Sequence, residues 1–335
     1  MGVLSAGKAR LASCASVALL LVASSAAGDV DDTTGKAAVA PLFSRAVLLP
    51  AWLRALEADI TFSADSVEWQ GEKFEQARLP LAIHDGGLTV QHATVQLAGG
   101  ELALNFQQDP AQRATLRLEA RQLTLGQLAA LRGYVSGTPV NVQVELRGNG
   151  VSLHDLAASA SGRVALHNTG SGVIRDDFEQ VGDNLVFHFI GAFEVFRRAG
   201  NEANLECLAL ELALDNGLAT DPHSMELRTR RLQVRGGGRV DLNGESLDLM
   251  FKPETRSTLK LQSLKAVETV RVQGRLAAPQ VSIDSGPLVG RAVHLGIDVA
   301  NLGGRAVLNR LLGRKPKLSL CGVAGAAPAT PAVQR

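Results

Sequence analysis

From about residue 100 to residue 285 the chain alternates apolar with polar or small side chains, and that period of two restricts it to β-structure. Leu102, Leu104 and Phe106 set the pattern, and Leu116 and Leu118 repeat it. Val140, Val142, Val144 and Leu146 follow, with Asn141, Gln143 and Glu145 between them. Leu208, Leu210, Leu212 and Leu214 form the next run. Val240 with Leu242, then Leu247, Leu249 and Phe251, Val270 with Val272, and Val281 with Ile283 complete the series. Successive side chains on a strand point to opposite faces, so each run builds a strand with one apolar and one polar face.

The punctuation between the runs suits hairpins. Asp85-Gly86-Gly87, Gly99-Gly100, Asp109-Pro110, Asn216-Gly217, Gly236-Gly237-Gly238 and Asn243-Gly244 supply residues that tolerate positive φ or start turns. Most connections are short, which favours antiparallel neighbours over helical crossovers. The fold read from the residues is mainly β, a long antiparallel sheet with one apolar face. The triple glycine 236–238 reads as a turn or bulge; it enters a strand rather than a helix, so it lacks the helix N-terminus of a phosphate cradle.

Helical interruptions are few. Leu123–Arg132 carries Leu125, Leu128 and Leu131 at helical spacing, and Leu153–Ala160 reads as a short helix or turn. Asp176–Arg198 holds Phe178, Phe187, Phe189, Phe193 and Phe196, read either as a core helix capping the sheet or as an amphipathic element touching lipid. Gly286–Leu312 is amphipathic, interrupted at Gly303-Gly304. Arg305, Arg310, Arg314, Lys315 and Lys317 lie beside it, suiting either lipid head groups or a solvated basic end. The Ala/Pro/Gly tail after Cys321 is expected to be disordered.

Apolar residues make up 46% of the chain and aromatics only 4%, so burial falls to Leu, Val and Ala. A net charge of +1 argues against nucleic acid as a partner. Arg228, Arg230, Arg231, Arg235 and Arg239 have Leu and Val among them and no interleaved aromatics, which fits a solvent-facing row. Lys8 and Arg10 precede an uncharged stretch from Leu11 to Ala27, with small residues at Ser25 and Ala27. This reads as an export signal, cleaved or retained as a membrane anchor. Cys207 and Cys321 are then the cysteines of the exported part: a disulfide closing a long loop, or two buried thiols. The His residues form no HExxH or HxH pair; His84 and His92 flank one turn and could face each other across a hairpin, without a third convergent ligand. No nucleophile elbow, Walker loop or dinucleotide fingerprint is present, so no catalytic residue, metal or cofactor is nominated.

Several stretches resemble the C-terminal region of the AsmA family. They are Leu56–Ile60 with Phe62, Leu97–Gly100, Glu145–Ser152 leading into Ser161–Val164, Gly236–Leu242, and Val272–Leu276 with Pro279–Val281. The resemblance covers about residues 55–321. It implies a curved sheet forming an apolar groove, in an envelope protein at the inner membrane with its bulk in the periplasm. It also implies phospholipid acyl chains, a membrane surface and other envelope proteins as partners.

The expected groove lining is Leu102, Leu104, Phe106, Val140, Val142 and Val144, continued by Leu208, Leu210, Leu212, Leu247, Leu249, Phe251 and Val281. The expected organisation is a signal or anchor (1–27), a linker (28–54), the groove domain (55–285), an amphipathic helix with the terminal cysteine (286–321) and a tail (322–335). The chain is shorter than typical members. Two roles follow from the resemblance: lipid carriage contributing to outer-membrane homeostasis, or outer-membrane protein assembly without lipid cargo.

Overall fold

A computed structural model describes residues 41–69, 71–129, 131–133, 135–175, 202–230, 232–256, 269–284 and 319–323. The export segment 1–27, the Phe-rich stretch 176–198, Arg231, the amphipathic segment 286–318 and the tail from 324 onward lie outside the described residues.

Fifteen strands join in one open, curved, antiparallel sheet. They are β1 (Ala58–Trp69), β2 (Glu72–His84), β3 (Gly87–Leu97), β4 (Gly100–Gln108), β5 (Arg113–Thr124), β6 (Val135–Gly137), β7 (Pro139–Asn149) and β8 (Ser161–Asn168). They continue as β9 (Gly172–Arg175), β10 (Glu202–Leu214), β11 (Leu218–Thr229), β12 (Leu232–Asp241), β13 (Ser246–Thr255), β14 (Thr269–Arg275) and β15 (Ala278–Asp284). The main path follows sequence order, with the short β6–β9 pair lying off it. Three short helices are described: α1 (Ala51–Arg54), α2 (Leu153–Ala158) and α3 (Leu320–Val323). A capping box starts α2, with Ser152 Oγ accepting from the Asp155 N–H at 3.1 Å and the Asp155 carboxylate accepting from the Ser152 N–H at 3.2 Å.

Sequential pairing follows from the turns. Asp85/Gly86 (φ +49°, +71°), Ala98/Gly99 (+49°, +73°) and Asn216/Gly217 (+48°, +73°) each place two consecutive residues in the left-handed region. That is the two-residue turn whose twist matches antiparallel strands. Inside the sheet the strands bend at bulges, and asparagines on neighbouring strands hold three of the displaced N–H groups. Asn105 Oδ1 accepts from His92 N–H, Asn141 Oδ1 from Gln122 N–H and Asn168 Oδ1 from Leu208 N–H, at 2.7–2.9 Å. The first two coincide with ladder shifts between Val90/Ala93 and Ala120/Leu123; the third follows the Leu205/Cys207 shift.

Two local expectations are corrected. Gly236, Gly237 and Gly238 form no turn but lie inside β12, paired to β13 on one side and β11 on the other. The irregularity falls on the facing strand, where β11 shifts register between Asp221 and Met225. Glycine is needed because backbone passes so close: a Cβ on Gly236 would stand 2.2 Å from Met250 O, and one on Gly237 would stand 2.2 Å from Asp221 O. The Leu123–Arg132 stretch is no continuous helix, because Leu123 and Thr124 still belong to β5 and only Leu125–Gln127 forms a 3-10 turn. Leu125 N–H donates instead to Thr138 O, and the space beside Gly126 is filled by Val135 O.

From residue 41 onward, the stretch expected to be linker is a strap across the strand ends. Leu42 and Phe43 N–H donate to the Glu245 carboxylate in the β12–β13 turn. Leu48 N–H donates to Val151 O and His154 N–H to Ser44 O near α2. Leu49 and Leu53 then pack on Ile83, Leu88, Leu81 and Phe106 at the far end. The seven residue steps from Leu42 to Leu49 reach at most about 25 Å. Along the sheet the same points are eight strand spacings apart, about 38 Å. The strap reaches because the sheet curls, and its contacts put the concave side on the face carrying Ile83, Leu88 and Phe106.

Candidate functional site

Residues paired across an antiparallel ladder share a face, so the registers assign the apolar face directly. One row runs Leu104–Leu118–Val144–Val164–Leu212 over β4, β5, β7, β8 and β10. A second runs Leu102–Ala120–Val142–Leu166–Leu210–Met225, and a third joins Val90–Phe106–Leu116–Leu146. Leu123–Val140–Asn168 lies beside them, and the Asn168 carboxamide meets Leu208. Toward the C-terminal edge Leu208 opposes Leu227, Leu247 opposes Val240, Leu249 opposes Val272, Phe251 opposes Val270, and Val281 opposes Val272. All thirteen proposed lining residues thus fall on one face, the concave one.

Their surroundings differ along that face. Phe251 joins a buried cluster with Leu205, Leu227, Leu232, Val234, Val270, Val272 and Ile174, and Leu208, Leu247, Leu249 and Val281 pack against it. Val140 is fully buried, as is Thr138 between β6 and β7, whose carbonyl accepts from Leu125 N–H. By contrast Leu102, Leu104, Val142, Val144, Leu210 and Leu212 remain half-buried. The middle of the sheet therefore presents a broad aliphatic surface between two closed regions: the strap at one corner and the β11–β14 cluster at the other.

Position by position, this surface follows the alternation, but several of its members fall outside the regular runs. Val90 and Leu81 lie in strands whose period is broken by bulges near His92 and Gln76. Leu49 and Leu53, four residues apart around the start of α1, carry no strand periodicity. Leu205 reaches the concave side only because the ladder shifts between Leu205 and Cys207, which sends Cys207 to the opposite face.

The polar face has its own features. Arg117 pairs with Glu145 at 3.0 Å, both well exposed, in an open depression also lined by Arg147 and Arg163. An ion pair in such a setting contributes little. Cys207 is bonded to Cys321, which brings α3 back onto β10 and β11. Beside this bond Glu226 is 2% exposed. Its carboxylate accepts from Ser319 Oγ at 2.8 Å, from Cys321 N–H at 3.3 Å and from Gln233 Nε2, with Arg235 Nε at 3.7 Å. Burial works to raise its pKa, but these donors prevail and hold the carboxyl below the usual range. Of the arginines expected to form one row, Arg228 belongs to β11 and Arg235 and Arg239 to β12, so they flank a hairpin.

His84 meets two carboxylates, with Nδ1 2.6 Å from Glu57 Oε2 and Nε2 2.9 Å from Asp59 Oδ1. The Asp59 bond, then the Glu57 bond, raises its pKa. Among the described residues, no group of three His, Cys, Asp or Glu side chains is placed to hold a metal ion. Among the same residues, no helix is long and apolar enough to cross a membrane.

Comparison with known proteins agrees with this geometry. The family model for the AsmA family matches residues 38–224. AsmA family protein YhjG of Escherichia coli (strain K12) is 26% identical over 243 residues, covering 70% of this chain and 34% of the relative. The chain thus spans about a third of that relative's length. No solved structure matches. With more than half of its residues under the family model and a curved open sheet to carry them, the chain belongs to the AsmA family.

Proposed function

We propose that the protein binds phospholipid by its acyl chains on the concave apolar face, and so holds or helps move lipid in the cell envelope. The observation that carries this reading is the middle of the sheet, which no second layer covers among the described residues. Rows such as Leu104–Leu118–Val144–Val164–Leu212 are apolar across five strands yet only half-buried. A one-sided sheet normally buries such a face against another layer. Here acyl chains would take that place, each buried CH₂ contributing roughly 0.8 kcal/mol without directional contacts. The aliphatic, aromatic-poor lining fits a chain without fixed polar groups. The reading requires no catalytic residue and no cofactor.

In this account the protein works on the periplasmic side, exported or anchored at the inner membrane, and contributes to outer-membrane homeostasis. Native mass spectrometry of the exported protein in mild detergent tests it. Phospholipid should travel with the wild-type chain and be lost from Val144→Glu and Leu210→Glu variants that keep their β-sheet circular dichroism. Lipid-free wild-type protein across independent preparations contradicts the reading.

A further inference from the structure

We infer that the outer edge of β1 is a docking edge for an extended, basic, apolar-alternating strand of a partner protein, which adds to the sheet beside Ala58–Ala64. Among the described residues β1 pairs on one side only, with β2, and nothing lies beyond it. From Ala58 to Ala64 its ladder to β2 is unbroken, so alternate N–H and C=O groups along its other side point away from the sheet.

Edge strands are normally blunted by Lys, Pro, a bulge or a covering element. The other edge shows one such device: β15 is short and carries Pro279. Over Ala58–Ala64 β1 has no Lys, Arg or Pro, and Asp59 is its one charged residue. Its concave-side residues are uncovered as well, with Ile60 at 42% and Phe62 at 37% exposure. Ile60 opposes Leu81, which opposes Val90 and then Phe106, so these two side chains begin the apolar rows described above. Trp52 and Leu56, also exposed, stand immediately before the strand in the chain. A further strand would complete the backbone bonding and continue the apolar face in one step.

Charge selects the partner. Glu57, Asp59, Asp65 and Glu68 are the ionisable residues from 57 to 69; on β2 His84 faces the first two and Lys73 opposes Glu68, which leaves this edge net acidic. An antiparallel pairing of two copies centred on Thr61 would set Glu57 opposite Asp65, acid against acid, which disfavours a second copy. A strand bearing Lys or Arg on its polar face meets no such penalty.

The probe is a blocked ten-residue peptide alternating Val with Lys, compared with the same peptide carrying Glu for Lys. Both are titrated onto the full chain and followed by hydrogen exchange and fluorescence anisotropy. The Lys peptide should slow exchange of amides within Ala58–Ala64 and bind at least fivefold tighter than the Glu peptide at low salt. High salt should remove the preference, since exposed charges are screened. An Ile60→Lys/Phe62→Lys variant should lose binding while exchange in β12–β14 stays unchanged. The proposal is overturned by any of four results: equal binding of both peptides, protection mapping to β15, β1 outer amides already protected in the free chain, or a β1–β1 crosslink between copies through Thr61→Cys. It stands apart from the lipid reading, because none of these outcomes depends on lipid content.

Discussion

Breaking the Cys207–Cys321 bond should destabilise the protein strongly, and in a pH-dependent way. The bond closes a loop with a sequence separation of 114. In the chain-entropy treatment a loop of that length is worth about 5 kcal/mol, through the freedom it removes from the unfolded chain. For a domain this large each kcal/mol moves the thermal midpoint by roughly 2 °C, so full reduction should lower it by about 10 °C. Reduction also frees Ser319 and Cys321 N–H from Glu226, removing donors that hold its carboxyl below the usual range. A depressed folded-state pKa contributes stability that is fully present above the unfolded value near 4.5 and lost as pH falls through the folded value. The gap between oxidised and reduced protein should therefore narrow on acidification below that point. The assay is thermal unfolding with and without reductant from pH 7 to pH 3.5, with reduction verified by mass. A midpoint unmoved by complete reduction, or a gap that widens toward acid, refutes the reasoning.

Three further outcomes follow from specific contacts. Gly236→Ala forces a Cβ against Met250 O and the Phe251 ring and should cost about 1–3 kcal/mol in urea unfolding, whereas a glycine lodged in a free turn would tolerate alanine. Asn168→Ala leaves the Leu208 N–H without its acceptor and should cost about 1–2 kcal/mol, with faster exchange at that amide. The His84 pKa, followed by NMR, should lie above its ordinary value and fall in Asp59→Asn. Its stabilising effect is complete below the unfolded pKa and fades as pH rises through the folded one.

The apolar face was legible because alternation is a local signal: Val140 to Leu146 and Leu208 to Leu214 announce their sidedness without any partner strand. The two-residue turns at Asp85, Gly99 and Asn216 were legible for the same reason. What escaped depends on distant backbone. Gly236–Gly238 look like a turn until β11 is seen to bulge opposite them. Leu125, Leu128 and Leu131 have helical spacing, yet the crossing from Thr138 takes the Leu125 N–H. The strap before α1 has no strand period because it bonds to turns and strand ends, not to a regular neighbour. Glu226 gives no hint in sequence that Ser319, far along the chain, will bury it. Concavity itself emerged only from the length of the strap against the width of the sheet it crosses.

Site-specific photocrosslinking from the two faces tests the central claim most directly. A photoreactive residue at Leu118, on the concave face, and one at the next position, Glu119, on the polar face, are illuminated in the full chain expressed in intact cells. The account predicts phospholipid adducts by mass spectrometry at Leu118 and none at Glu119. Adducts at both positions alike, or at neither, contradict it.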